Sequence, residues 1–153
     1  MNVTRRSFLT AAGIASVGGA AVLFAESEGS AQDKEEKPKV SITSPKDGAK
    51  LDMTEDLEGK LNVSGWPVIV VKPLIGSEPW YVQPAVEEVT EDGDFAGVVY
   101  IGDGDTKPGT RFRLIVFVVK TKAAAERYRP GMRLKTIPAG RPRSERVTVT
   151  RAE

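Results

Sequence analysis

The sequence contains no cysteine and no histidine. No disulfide can staple the fold, no thiolate can attack a substrate, and no Cys/His set can hold zinc. Imidazole, the commonest general base, is missing as well. Aromatic residues make up 7% of the chain, and the formal net charge is +1. So small a charge gives no reason to expect nucleic acid as a partner. No Gly-x-Ser-x-Gly elbow, P-loop or dinucleotide fingerprint occurs. These absences predict a protein that is not an enzyme and carries no cofactor.

What is present fits one small β-rich domain. The chain has 153 residues, 40% apolar and 28% charged, which suits a single globular core. Val40-Ser41-Ile42-Thr43 alternates apolar with polar and runs into the turn Ser44-Pro45-Lys46-Asp47-Gly48. Leu57 to Gly65 alternates again, and Val68-Ile69-Val70-Val71 is a β-branched run suited to a strand buried on both faces. Trp80-Tyr81-Val82-Gln83, Val86 to Thr90 and Phe95 to Ile101 are further candidate strands. Arg111 to Val119 alternates in its first half and is uniformly apolar in its second, as a central strand would be. Lys122 to Tyr128, with three alanines, predicts a short helix ended by Pro130-Gly131. Gly131 to Ser144 reads as a long loop, and Arg146 to Arg151 as a closing strand.

The N-terminus has a different character. Arg5 and Arg6 precede a stretch from Phe8 to Phe24 without a charge, the pattern of an export signal. Thr4-Arg5-Arg6-Ser7-Phe8-Leu9 resembles the twin-arginine (Tat) consensus, with Thr10 where that family often has lysine. The resemblance implies recognition of Arg5, Arg6, Phe8 and Leu9 by the Tat translocase. It also implies export of the folded protein to a periplasmic or extracellular location. Gly29-Ser30-Ala31 predicts cleavage after Ala31, with Leu23-Phe24-Ala25 as the alternative. A retained membrane anchor is the competing reading, and would make the domain a membrane-tethered surface module. The expected organisation is a signal peptide over 1–31, a flexible charged linker over 32–39 and a domain over 40–153.

Ile42-Thr43-Ser44-Pro45-Lys46-Asp47-Gly48 and the later Asn62-Val63-Ser64-Gly65 resemble bacterial immunoglobulin-like and fibronectin-III-like domains. The likeness covers residues 40–151. It implies an all-β, immunoglobulin-like β-sandwich of about seven strands, with one short helix before the last strand. The Cys…Trp…Cys hallmark of antibody domains is absent.

Four constellations could carry function. Trp80 and Tyr81, with Trp66 and Tyr100, could offer an aromatic platform to a glycan or a peptide. Large aromatics are more often core than surface. Asp92, Asp94, Asp103 and Asp105 lie in Asp-Gly-Asp turns and are weak calcium candidates, although Asp and Gly are also what tight turns require. Eight bases between Arg127 and Arg151 could meet an anionic partner or simply be solvated. Glu87, Glu88 and Asp92 could be paired carboxylates. If Glu87 and Glu88 lie on a strand, however, they point to opposite faces. The expected function is an exported binding or scaffolding domain whose partner is a protein or an envelope glycan.

Overall fold

In the computed structural model, residues 38–153 are described. The expected Tat-recognition residues Arg5, Arg6, Phe8 and Leu9, and the expected cleavage at Ala31, lie outside them. The alternating segments form strands β1 (Val40–Ser44), β2 (Lys50–Leu51), β3 (Thr54–Leu61), β4 (Trp66–Pro73), β5 (Trp80–Val82), β6 (Asp94–Tyr100) and β7 (Arg111–Val119). Helix α1 (Lys122–Ala125) follows, then β8 (Arg133–Leu134) and β9 (Val147–Arg151).

The strands make an all-β sandwich. One sheet has the order β8-β5-β4-β7-β9-β2, the other β1-β3-β6. All pairings are antiparallel except that of β9 with β2. The first, third and sixth strands thus form one layer, and the fourth, seventh and ninth belong to the other. Both edges of the larger sheet are strands of two residues, which leaves little open ladder for unwanted pairing.

Two apolar clusters hold the domain. The inner one joins the sheets, with Leu57, Leu61, Phe95 and Val99 facing Ile69, Val71, Leu114, Val116 and Val149. Phe95 lies across Gly59, where a Cβ would collide with its ring and with the Ser41 carbonyl oxygen. A side chain at position 59 would therefore push β3 from its neighbours. The outer cluster lies on the far side of the larger sheet. There Val68, Val70, Ile115, Phe117 and Val119 meet Ala125, Ile137, Tyr128 and Leu134. The uniformly apolar half of β7 is thus buried on both faces, and each fully buried side chain of this kind contributes about 1.5–3 kcal/mol.

Three expectations are corrected. Val86 to Thr90 forms no strand, only an isolated bridge between Val89 and Phe95. The Pro-rich stretch from Gly131 to Ser144 is not a plain loop: it contains β8 and closes the outer cluster through Ile137. Its end extends the β9 ladder. The Val118 N–H donates to the Pro142 carbonyl, the Ser144 N–H to the Val116 carbonyl, and the Val116 N–H to Ser144 Oγ. Pro142 fits there because only its carbonyl is needed. The helix is shorter than expected and precedes two strands. Thr121 caps it by accepting from the Ala124 N–H. At the start of the described residues, Asn62 holds Pro38 and Lys39, donating from Nδ2 to the Pro38 carbonyl and from its N–H to the Lys39 carbonyl. Among the described residues, no helix is long and apolar enough to cross a membrane.

Candidate functional site

Two tyrosines from different sheets face one cleft. Tyr81 comes from β5 and Tyr100 from the end of β6, and the cleft between them has a volume of about 690 Å³. Ile75 and Glu78 from the β4–β5 loop, and Asp103, Asp105 and Lys107 from the β6–β7 loop, complete its walls. Tyr100 is 49% exposed and Ile75 58%, so the cleft offers apolar surface rimmed by carboxylates.

Buried Gln83 sets the spacing of the two tyrosines. Its Nε2 donates to the Tyr81 carbonyl at 3.1 Å, and its Oε1 accepts from the Tyr100 N–H at 2.7 Å. One amide thus bridges the two sheets with both its donor and its acceptor used. Tyr81 is steadied from its other end, where its hydroxyl donates to Glu78 Oε2 at 3.1 Å. Partial burial, then this hydrogen bond and the Glu78 charge, push the Tyr81 phenol above its ordinary value, against an opposing pull from Arg133. The hydroxyl therefore stays protonated as a donor throughout the neutral range. The Arg133 guanidinium rests 5.8 Å from the centre of the Tyr81 ring.

The β6–β7 loop is held by polar bonds. Arg151 Nη1 donates to the carbonyls of Ile101 and Asp103, each at 2.9 Å. The Asp103 carboxylate accepts from the Asp105 N–H and from Thr106 Oγ1. These bonds, with Thr106 first, hold the Asp103 carboxyl below its ordinary value.

Trp80 and Tyr81 do not form one platform. Neighbours on a strand point to opposite faces, and Trp80 is 8% exposed within the outer cluster. Trp66 is half-buried against the same cluster, its Nε1 donating to the Val86 carbonyl. Only Tyr81 and Tyr100 of the aromatic set reach the cleft. Period-two alternation alone separates Trp80 from Tyr81. Gln83 and Ile75 carried no comparable signal.

The calcium candidates are scattered. Asp94 pairs with Lys60 at 3.5 Å, Asp103 serves its own turn, and among the described residues no three acidic side chains are placed to hold a metal ion. Glu87 and Glu88 are both exposed and share a second depression of about 610 Å³ with Asp56, Glu58 and Asp94. Because no strand forms there, alternation does not part them. Asp92 lines a different recess, beside Asn62 and Ser64. Set against protein-family models, curated proteins and solved structures, the chain matches none.

Proposed function

We propose that this chain is an exported, non-catalytic binding domain, and that the cleft between Tyr81 and Tyr100 receives a glycan of the cell envelope. The supporting observation is the cleft itself: two tyrosine rings from two sheets, spaced by Gln83 and rimmed by Glu78, Asp103 and Asp105. Tyrosine presents an apolar face and a polar tip, which suits the alternating apolar faces and hydroxyls of a sugar chain. Carboxylates accept hydroxyl hydrogens, and those at this rim are open to solvent. Export rests on the Arg5-Arg6 segment and its uncharged continuation.

The test is a titration of the domain with soluble fragments of the host's envelope polysaccharide, followed through backbone amide shifts. Shifts confined to the cleft, and lost in Tyr100→Ala at an unchanged melting temperature, support the reading. Shifts elsewhere, or none, refute the glycan. A second reading then takes over, in which exposed Ile75 and Tyr100 anchor a protein partner; Ile75→Asp would abolish that contact. Turnover of an envelope substrate that fails in Glu88→Gln would overturn the non-catalytic assignment.

A further inference from the structure

The small net charge conceals a strongly uneven distribution. On the larger sheet, Val71, Phe112, Leu114 and Leu51 point into the inner cluster. Alternation therefore turns Lys72, Arg111, Arg113 and Lys50 to the opposite, outward side. They sit next to one another across the strands. Lys72 is opposite Arg113, Arg113 is opposite Thr148, and Thr150 separates Arg111 from Lys50. Arg146 stands beside this group, one residue before β9.

Like charges directly opposite on neighbouring strands destabilise a sheet, and among the described residues neither Lys72 nor Arg113 forms an ion pair. The Lys72 ammonium lies 5.7 Å from the centre of the Trp80 ring, and the nearby Asp47 carboxylate accepts from the Thr148 N–H. The only ion pair among the described residues, Lys60 with Asp94, belongs to the other sheet. The covered Nε of Arg113 has no hydrogen-bond partner. Outward positions of the smaller sheet have the opposite character, with Asp56, Glu58 and Asp94 against Lys60.

We infer that this cationic sheet face docks on the surface of an anionic lipid bilayer. The proposal rests on the export reading in one respect. The uncharged run from Phe8 to Phe24 brings the chain to a membrane, so a bilayer is the first anionic surface the folded domain meets. Two further observations favour a bilayer over a soluble polyanion. The cations are spread in two dimensions, on three of four neighbouring strands about 4.8 Å apart, and they line none of the clefts described above. A flat array suits a flat surface of phosphates, and each base near such a surface adds to the attraction.

Residues 38–153 contain both apolar clusters and every strand described, so this domain is tested by itself, free of the N-terminal segment. It is sedimented with phosphatidylcholine vesicles made with and without phosphatidylglycerol. Binding is expected only to the anionic vesicles, and Lys72→Gln with Arg113→Gln should weaken it at least about tenfold. Lys50→Gln with Arg111→Gln, at exposed positions, should do the same. Lys60→Gln, on the smaller sheet, removes a charge from the other sheet and should leave binding unchanged. The melting temperatures of both double variants should stay close to the parent's. Equal sedimentation with both kinds of vesicle, no sedimentation, or equal loss in Lys60→Gln would each overturn the proposal. Binding to polyphosphate without binding to vesicles would overturn the choice of lipid. None of these outcomes touches the glycan titration, so the two readings fail separately.

Discussion

Along β7 the inward face keeps one character from end to end, with Phe112, Leu114, Val116 and Val118 all in the inner cluster. The outward face changes halfway. Ile115, Phe117 and Val119 are apolar and lie beneath α1 and the 126–144 segment, while Arg111 and Arg113 are cationic, Arg111 exposed and Arg113 half-buried. The neighbouring strand β4 changes at the same level. Val68 and Val70 stand opposite Phe117 and Ile115, and Lys72 stands opposite Arg113. Packing in a sheet is therefore decided row by row across strands. One end of this sheet contributes a second core, and the other end is left to solvent or to a partner. The covered end is held by apolar burial. The bare end, where the β6–β7 loop rises, is held by hydrogen bonds donated by Arg151 and accepted by the Asp103 carboxylate.

The largest expected effect tests whether the covered half is a true core. Phe117 is fully buried and meets Tyr128 edge to face, with ring centroids 5.3 Å apart. Phe117→Ala should cost about 3–5 kcal/mol in chemical denaturation, as large-to-small changes in a packed core do. A loss below about 1 kcal/mol, the level of a surface change, would mean that the cover merely rests on the sheet. The comparison would then collapse.

The next effect concerns what pins the cover. Ser144 is buried, and its hydroxyl accepts from the Val116 N–H at 3.0 Å while donating to the Glu145 carbonyl at 2.9 Å. Ser144→Ala strands a buried N–H and should cost about 1–3 kcal/mol. Amide exchange should quicken at Val116 and Val118, the two β7 residues bonded to this segment, and stay unchanged at Leu57 in the inner cluster. Uniform quickening across both sheets would show that cover and sandwich open as one unit.

A smaller effect of opposite sign is expected on the bare half. Neutralising Lys72 with Gln removes a repulsion from Arg113 and also the contact of its ammonium with the Trp80 ring, 5.7 Å away. These contributions are each a few tenths of a kcal/mol. The net change in stability should stay within about 0.5 kcal/mol, measured by thermal melting. A large loss would make Lys72 part of the fold and not a free surface cation.

This division was partly legible in the sequence. The alternating first half of Arg111 to Val119 and its uniform second half correspond to the bare and covered ends, because alternation records whether one face or two are buried. The long strands were legible for the same reason. Strands β2 and β8 were not, since two residues carry no period. The cover was hidden behind its prolines and arginines: Tyr128, Leu134 and Ile137 are spaced too irregularly to announce a packed face. At the cleft, Tyr81 and Tyr100 were candidates from their side chains alone. Gln83 was not, because a bridging amide depends on which sheets flank it. The expected strand from Val86 to Thr90 fails where this stretch passes from one sheet to the other, after Gln83 has spent its side chain on Tyr100.

The smallest effect separates the two ends by pH. The Asp103 carboxyl is held below its ordinary value by hydrogen bonds from Thr106 and from the Asp105 N–H. A carboxyl lowered on folding stabilises the native state above its unfolded value, about 3.9. That contribution is lost as pH falls through the still lower value in the folded protein. Acid should therefore loosen the β6–β7 loop first, while the outer cluster, which has no carboxylate among its members, should not respond. Amide signals of Asp105 and Thr106 should shift together with the titration of Asp103, ahead of those of Ile115 and Phe117. Asp103→Asn should abolish that early response, because the amide keeps an acceptor oxygen but cannot titrate. Simultaneous titration of both sets would place the acid response in global unfolding, and the bare end would then have no weakness of its own.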